Sequence, residues 1–510
     1  MDLSNSKFLR ETPDFSAIPN LERLDFSGFT HLLYVHSSIG LLKKLAFLSL
    51  QNCSNLVRIN FGYGSNLISL TVLRFSGCTK LETTPDFTSA ENLKYLDFDG
   101  CASLSLVHES IGSLLKLTLL SLRDCSNLVS IPSTINAMTS LQTLDLCSCL
   151  KLNDLPVGQS FNSKSMASLI VLDLSFCNLH KVPDDIGVLT CLERLNLQGN
   201  KFDSIPSIMS LHRLAYLNLS HCYNLVTFSE IPPLTGYSSE FRPSSGGRYF
   251  KTVSGSRDHR SGLYIYDCPM HSMEHVWFGR LIEYPSHFRC GFDIVVPWLE
   301  KVVPQSFQPE LAASSIIRIK NFNANEDWLG FVFYAVFEVN DIAKVSPPPH
   351  CSFSSSPVLH PIYLSFESEH TEEYFNIPID FKPSKIVRSD HLWVIYISRE
   401  HCHFVKTGAH ITFKSQPGFK IIKWGLRSIF KQDFYNLQMD LCIIDDLERK
   451  YIRKRFLTCE HPVDFDDVTN DMTNPEPKIR LPYNWLVTEK DEVENIEAKT
   501  KENNLSNVGL

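Results

Sequence analysis

The sequence predicts an α/β solenoid of stacked repeats, a horseshoe with parallel strands on its concave face, followed by an antiparallel β-sandwich. Two observations support this order of elements. A short apolar motif returns every 22 to 28 residues through the first half of the 510-residue chain. Beyond residue 262 this long period disappears, and apolar residues alternate with a period of two, which is typical of strands.

The repeated motif is L-x-x-L-x-L/F. It starts at Leu21, Leu45, Leu70, Leu93, Leu117, Leu141, Leu169, Leu192 and Leu214. Alternation inside the motif predicts a short strand whose leucines point inward while the residues between them face out. The back halves, such as "IGSLLK", suit a short helical or 3₁₀ return on the convex side. Because one repeat cannot bury its own apolar stripe, we expect about ten stacked repeats over residues 1–235, the first of them incomplete.

A cysteine usually stands eight residues after each motif start, which completes the leucine-rich-repeat pattern L-x-x-L-x-L-x-x-N/C. Disulfides, metal binding and packing are the three alternatives for this position. Stacked side chains run parallel, and one repeat uses asparagine, which neither redox nor metal chemistry would tolerate. We therefore predict a structural ladder of small buried donors that bind backbone carbonyls. Its members are Cys53, Cys78, Cys101, Cys125, Cys149, Cys177, Asn200 and Cys222.

A block of three repeats is duplicated. The segment "ETPDF" at 11–15 and the segment "VHSSIG" at 35–40 both return 72 residues later, as "TTPDF" and "VHESIG". His36 and His108 are therefore candidates for a functional pair, although repeat-copied surface or turn histidines are the alternative. The first repeat aligns with the middle of a unit, so we expect an upstream portion to be missing, through a truncated gene model or a short isoform.

The second half of the chain divides by composition. Residues 236–262 are rich in Gly, Ser and Arg and predict a linker. Residues 263–435 contain many strand-like runs separated by polar loops, beginning with "LYIYD" at 263–267, and predict the sandwich. Residues 436–510 predict a mostly disordered acidic tail. Within it, the basic cluster at 449–455 is either a nuclear-localisation patch or a solvated helix face.

The cysteine-type repeats followed by these strands resemble plant intracellular immune receptors of the TIR–nucleotide-binding–leucine-rich-repeat class. The second half resembles their post-repeat jelly-roll/Ig-like domain, through "FDIVVPWLEKVVPQSF" from Phe292, "WLGFVFYAVF" from Trp328 and "DHLWVIYISREH" from Asp390. Trp298 departs from the family's pattern, which often has glycine there. The resemblance covers roughly residues 1–435.

This resemblance implies a protein-recognition module that senses a pathogen effector or an altered host protein in plant defence. The alternative is a truncated receptor that acts as a non-signalling adaptor or regulator of full-length relatives. The expected partners are a pathogen or host protein and other receptor chains, and the expected location is the cytoplasm, with the nucleus as an alternative.

Other function classes lack sequence support. The chain contains no G-x-x-x-x-G-K-[ST], H-E-x-x-H or G-x-S-x-G motif, so we expect no enzyme activity, cofactor or metal. In "HCH" at 401–403, adjacent side chains would point to opposite faces of a strand, which disfavours a zinc site. The net charge of −8 and the absence of a broad basic field argue against nucleic-acid binding. The longest apolar run is too short to span a membrane.

Partner binding is predicted on the concave face, which we define as the side chains two, four and six residues after each repeat start. Aromatic side chains beside arginines are typical of protein–protein hot spots. Concave strands can also carry such residues without any ligand. The candidate binding residues are Arg23, Phe47, Arg74, Tyr95, Arg123, Arg194 and Tyr216.

Overall fold

The computed structural model describes residues 8–152, 166–226, 244–245, 262–269, 292–297, 310–311, 317–318, 327–339, 362–367, 372–376, 390–399, 410–415, 419–430 and 432. Contacts divide the chain into two compact units, and all of these residues belong to the larger one, which comprises Met1–Arg248, His259–His350 and Leu359–Leu441. The smaller unit, and with it the predicted acidic tail and its basic cluster, lies outside the described residues.

The repeats form short parallel strands, each of three residues. They are β1 (Arg23–Asp25), β2 (Phe47–Ser49), β3 (Val72–Arg74), β4 (Tyr95–Asp97), β5 (Leu119–Ser121), β6 (Thr143–Asp145), β7 (Val171–Asp173), β8 (Arg194–Asn196) and β9 (Tyr216–Asn218). Each strand pairs with the next in sequence, with the central leucines in register, as Leu24 with Leu48. These leucines are buried in one continuous core. The predicted parallel sheet of the solenoid is confirmed.

The returns on the other side of the core are 3₁₀ helices at Ser37–Leu41, Glu109–Ser113, Ser133–Ala137 and Asp184–Val188. Each contains an isoleucine that packs into the repeat core, as Ile39 and Ile111 do. One apolar residue per turn is enough to anchor such a short helix to its own repeat. The predicted short helical or 3₁₀ return is therefore confirmed at these segments.

Each strand is followed by a backbone turn that the sequence pattern did not predict. The residue seven positions after each motif start has positive φ; these residues are Gly28, Asn52, Gly77, Gly100, Asp124, Ser148, Phe176, Gly199 and His221. Glycine adopts this conformation freely, whereas other residues are strained in it. The turn redirects the chain so that the following residue, the ladder position, is buried in the core.

The ladder side chains bind the repeat before them. Each donates to the carbonyl oxygen five residues after the previous motif start: Cys53 to Phe26 (3.2 Å), Cys78 to Leu50 (3.0 Å), Cys101 to Phe75 (3.2 Å), Cys125 to Phe98 (3.3 Å), Cys149 to Leu122 (3.2 Å), Cys177 to Leu146 (3.0 Å) and Cys222 to Leu197 (3.4 Å). Asn200 Nδ2 does the same to Leu174 at 2.9 Å. All these cysteines are free thiols.

The structure adds a tenth parallel strand, β11 (Gly262–Tyr264), which pairs with β9. Cys268 Sγ donates to the carbonyl oxygen of Leu219 at 3.1 Å, so it is a further ladder member. The parallel sheet therefore extends past residue 235 and past the expected linker, and "LYIYD" begins in the repeat sheet. Leu263, Ile265 and Cys268 keep the repeat spacing, but an arginine replaces the first leucine. In addition, 46 residues separate Leu214 from that arginine, Arg260, instead of the usual 22 to 28. The repeat period therefore did not predict this repeat.

The remaining strands are almost all antiparallel. They are β10 (Ser244–Ser245), β12 (Phe292–Pro297), β13 (Glu310–Leu311), β14 (Ile317–Arg318), β15 (Trp328–Val339), β16 (Ile362–Glu367), β17 (Glu372–Asn376), β18 (His391–Ser398), β19 (His410–Ser415) and β20 (Phe419–Phe430). The repeat sheet continues in the order β11-β12-β18-β15-β20-β13, and a second sheet has the order β10-β17-β16-β19-β14. Residues of both sheets, such as Trp393 and Leu364, share one buried cluster.

The ladder geometry predicts thiol reactivity. Burial raises the pKa of the Cys125 thiol, and it raises the pKa of Cys222 to about 12. Because the thiolate is the reactive form, we expect the ladder cysteines to resist alkylation in the native protein and to react on unfolding. Mass mapping of labelled peptides measures this. Cys191, which is only partly buried, is the internal control and should react first. Rapid native labelling of Cys125 would refute the ladder assignment.

The left-handed turn predicts a pair of opposite stability effects. A Cβ added at Gly100, whose φ is +70°, meets no atom closer than 3.8 Å, so Gly100→Ser tests the backbone alone. We expect it to lower the free energy of unfolding by about 1 kcal/mol. Ser148→Gly, at φ 64°, should raise it by roughly 0.5 kcal/mol, since glycine also gains freedom in the unfolded chain. Urea denaturation measures both, and equal stability of Gly100→Ser and the parent would contradict the account.

Candidate functional site

The first group of concave-face residues is a stack of two arginines and two aromatic rings. The guanidinium carbon of Arg23 lies 3.7 Å from the centroid of the Phe47 ring. The guanidinium carbon of Arg74 lies 5.7 Å from the same ring and 5.1 Å from the ring of Tyr95. Phe47 is only 5% exposed. Its ring therefore positions two cations by cation–π attraction and presents little surface of its own.

A second stack lies at the other end of the repeats. The guanidinium carbon of Arg194 is 3.9 Å from the centroid of the Tyr216 ring, and that ring is 5.1 Å from the ring of Tyr264. Arg194 is only 8% exposed, whereas Tyr216 is partly buried. The predicted binding residue Arg194 is thus covered, and Tyr264 is buried, so that Tyr216 is the partly exposed side chain of this stack. Tyr264, on strand β11, was not among the predicted residues.

Between the two stacks, Arg123 is held by carboxylates. Its Nη2 lies 2.8 Å from Asp145 Oδ2 and 3.9 Å from Asp173 Oδ2. Asn196 Nδ2 donates to the same oxygen of Asp173 at 3.1 Å. Asp145 is 1% exposed, so this ion pair is desolvated on one side. Removing the arginine would leave a buried carboxylate uncompensated, which is strongly destabilising. Arg123 therefore has a structural role in addition to its predicted binding role.

Asp99 lies in a strongly negative environment. Burial raises the pKa of its carboxyl, and the charges of Asp97 and Asp145 raise it further, to about 8. The Ser121 hydroxyl and the backbone N–H of Arg123 both donate to Asp99 Oδ1, which partly offsets the effect. The protonated form of Asp99, at the centre of the concave face, is consequently favoured up to a higher pH than in an ordinary aspartate.

Most of the concave aspartates also bind their own backbone. In six repeats, the Asp or Asn four residues after the motif start accepts the N–H of the residue two positions later. These residues are Asp25, Asp97, Asp145, Asp173, Asn196 and Asn218, at 2.9 to 3.2 Å. This is an Asx turn, which satisfies an N–H at the end of the strand. The sequence signal is the repeated Asp or Asn four residues after the motif start, for which strand alternation alone predicts only an outward-facing side chain.

The duplicated histidines begin 3₁₀ helices. His36 Nδ1 accepts the N–H of Ser38 at 3.3 Å, and His108 Nδ1 accepts that of Ser110 at 3.2 Å. The same two serine hydroxyls accept the N–H of the phenylalanine in the preceding "TPDF" segment, at 2.8 Å in both copies. The two duplicated motifs therefore interlock between neighbouring repeats. This geometry favours the turn role over a functional histidine pair.

Metal and membrane sites are two further alternatives for the described part of the chain. Within it, no three His, Cys, Asp or Glu side chains are grouped so that they could hold a metal ion. Likewise, none of the helices described is long and apolar enough to cross a membrane. The "HCH" segment at 401–403 lies outside the described residues.

The stacked strands, their ladder and the repeated turn define a leucine-rich-repeat protein. The Leucine rich repeat family model matches residues 167–223. Over the repeats, the chain is similar to TMV resistance protein N of Nicotiana glutinosa, with 29% identity over 284 residues, and to Disease resistance protein RPS6 of Arabidopsis thaliana, with 33% identity over 249 residues. These alignments cover 46% and 45% of this chain. They cover 24% and 21% of the two relatives, so the chain spans about a quarter of their length.

A longer alignment, with Disease resistance protein RPS4B of Arabidopsis thaliana, has 24% identity over 467 residues and covers 81% of this chain and 37% of that protein. The predicted resemblance to plant disease resistance proteins is confirmed over the repeats. Among solved structures, the chain is similar to a leucine-rich-repeat protein of Leptospira interrogans (23% identity, 46% of this chain and 63% of that chain, TM-score 0.29). The leucine-rich-repeat domain of the type III effector XopL is a second (22% identity, 42% and 74%, TM-score 0.32). Neither adds an argument about function.

The Asp99 environment predicts a pH dependence of stability. The folded-state pKa of Asp99 is raised above its unfolded value, so its contribution is complete at low pH and is lost as the pH rises from about 4 to about 8. Asp99→Asn should therefore be more stable than the parent at pH 7.5, by about 1 kcal/mol, and should lose less stability over this range.

Asp86 provides a control because its pKa is shifted in the opposite direction to that of Asp99. The backbone N–H of Thr88 lowers the pKa of its carboxyl. Asp86→Asn should be less stable than the parent at neutral pH. The difference should shrink as the pH falls through the ordinary aspartate pKa and vanish below the lowered pKa of the folded state. Urea denaturation at a series of pH values measures both variants. If Asp99→Asn followed the pH profile of Asp86→Asn, the assignment of a raised pKa to Asp99 would be wrong.

Proposed function

We propose that the chain is the protein-recognition module of a plant intracellular immune receptor, and that its concave face contacts a pathogen effector or an altered host protein. The observation that carries this proposal is the sequence relation of its repeats to those of plant disease resistance proteins. The activities of those proteins are attributed to this chain only as part of the proposal, because the chain spans a minor part of their length.

The side chains of the concave face suit a protein partner. A guanidinium stacked on a ring uses its flat face in that contact, whereas carboxylates and carbonyls bind its edge, as Asp25 Oδ2 does at 3.5 Å from Arg23 Nη2. Arg23 is 31% exposed at its side chain, and Tyr95 and Tyr216 are partly exposed. Mixed acids and bases in the centre suit the polar surface of a protein better than a polyanion. The expected direct contacts are therefore Arg23, Arg74, Tyr95 and Tyr216, supported from beneath by Phe47 and Arg194.

The remaining parts of the proposal concern the rest of the chain. We assign the antiparallel strands to a β-sandwich of the jelly-roll/Ig-like kind, and no catalysis or cofactor to the chain itself. Its location is the cytoplasm, with nuclear entry through the basic cluster at 449–455 as the alternative. A fluorescent fusion with and without that cluster distinguishes the two locations.

Matched substitutions test the recognition surface. Candidate effectors and full-length receptors are screened for binding to the chain by co-immunoprecipitation from plant tissue, and affinities are then measured with purified partners. Tyr95→Ala and Arg74→Glu should each weaken binding by about 30-fold, since a hot-spot residue contributes about 2 kcal/mol or more. Tyr63→Ala and Arg58→Glu remove the same side chains from exposed positions off the concave face and should leave affinity unchanged.

The identity of the partner separates the two candidate functions. Binding of an effector or host protein that depends on Tyr95 and Arg74 supports recognition. Binding confined to full-length receptor chains instead supports the regulator. If all four variants bind like the parent, the concave face is not the recognition surface.

A further inference from the structure

The repeat sheet does not end in an open edge at its C-terminal side. Strand β12 pairs in parallel with β11, with Ile294 opposite Leu263. On its other side it pairs antiparallel with β18, with Ile294 opposite Val394. Strand β12 is thus the point at which the sheet changes from parallel to antiparallel. The last parallel strand has hydrogen-bonded neighbours on both sides.

Both faces of the sheet remain buried across this change of direction. On one face, Leu263, Ile294 and Val394 belong to the same core as the repeat leucines. On the other face, Tyr264, Val295 and Trp393 belong to the cluster shared with the second sheet. The terminal repeat of a solenoid has no successor to cover its apolar side and normally requires a cap. Here the antiparallel strands occupy the position of that successor.

A buried aspartate, Asp267, connects the solenoid to the antiparallel strands. Its contacts are called the Asp267 joint. Asp267, in the left-handed turn after β11, donates its backbone N–H to His391 Nε2 at 3.1 Å. Its Oδ2 lies 3.0 Å from His221 Nδ1, and this nitrogen must donate because a carboxylate only accepts. The three residues are at most 2% exposed. His221 belongs to the ninth repeat and His391 begins β18, so the aspartate joins the solenoid to the antiparallel strands.

The Tyr266 ring packs between the two histidines. Its centroid lies 5.3 Å from that of His221 and 4.5 Å from that of His391. Buried polar groups are tolerated only when they are hydrogen-bonded, and breaking one partner leaves the other desolvated. The Asp267 bonds therefore add a specific side-chain contact to a joint whose register the pairing of β11, β12 and β18 already sets.

We propose that the antiparallel strands are the C-terminal cap of the solenoid, fastened by the Asp267 joint, so that the last repeats and the antiparallel strands stabilise each other. This proposal is independent of what the concave face binds. In the described residues, the repeats and the antiparallel strands share one sheet and one core.

The chain carries separate reporters for the solenoid and for the antiparallel strands. All six tryptophans lie after residue 262, and three of them, Trp328, Trp393 and Trp424, are in described antiparallel strands. Tryptophan fluorescence therefore reports on the chain after the repeat strands, which includes the cap. Alkylation of Cys222 and Cys53, located by peptide mapping, follows the repeats of β9 and β2.

The first experiment destabilises the cap in the full-length chain. Ile395→Ala removes a fully buried side chain from β18. Labelling of Cys222 under native conditions should accelerate by about tenfold or more, and that of Cys53 much less, because stability in repeat stacks is transmitted between neighbours. The proposal is overturned if Cys222 stays protected at urea concentrations where the tryptophan transition is already complete.

The second experiment tests the joint itself. His391→Leu removes the acceptor of the Asp267 N–H, whereas His391→Gln keeps an acceptor oxygen. We expect the leucine variant to raise the rate of Cys222 labelling about tenfold and the glutamine variant to retain most of the protection. A purely space-filling role would make the two variants alike or favour leucine, and either result would refute the fastening role of Asp267.

Discussion

One carbonyl group per repeat connects each repeat to the next. It belongs to the apolar residue between the three-residue strand and the left-handed turn, inside the core. Within its own repeat it accepts the backbone N–H of the ladder residue, as Phe98 accepts the N–H of Cys101 at 3.0 Å. The ladder side chain of the next repeat adds a second hydrogen bond, as Cys125 does for Phe98. Because a carbonyl oxygen has two lone pairs, the ladder uses the acceptor capacity that the local turn leaves over. Stacking is therefore supported by hydrogen bonds between repeats as well as by burial of leucines.

The same short strands shape the concave face. Because each strand is only three residues long, the sheet pairs few of its backbone groups. The N–H groups at the strand ends therefore need additional acceptors, and the repeated Asp or Asn provides them. Carboxylates consequently accumulate in the centre of the face, where Arg123 compensates two of them and the pKa of Asp99 is raised. The carboxylates that a partner would meet on the concave face are thus present partly because the fold needs them. The arginine–aromatic stacks at the two ends are the other groups that a partner could contact.

Those two ends differ in their surroundings. The stack around Phe47 lies in the first repeats, whereas Tyr216 packs against Tyr264 and through it against the cluster shared with the antiparallel strands. A partner that contacts Tyr216 would therefore contact a side chain supported by the cap. Loss of the cap would alter the recognition surface at that end first, while the stack around Phe47 would keep its support from neighbouring repeats.

The sequence by itself determined the repeat period, the strand positions, the 3₁₀ returns and the ladder residues, because each of these depends on contacts between a repeat and its nearest neighbours. It left the roles of His36 and His108 open, since a copied motif looks the same whether it caps a helix or binds a ligand. Only the tertiary structure placed Gly262–Tyr264 in the parallel sheet, because the long interval before it breaks the period on which the inference rested. Only the tertiary structure, too, showed that Phe47 and Arg194 are covered, because burial on an outward face depends on which side chains of adjacent strands meet.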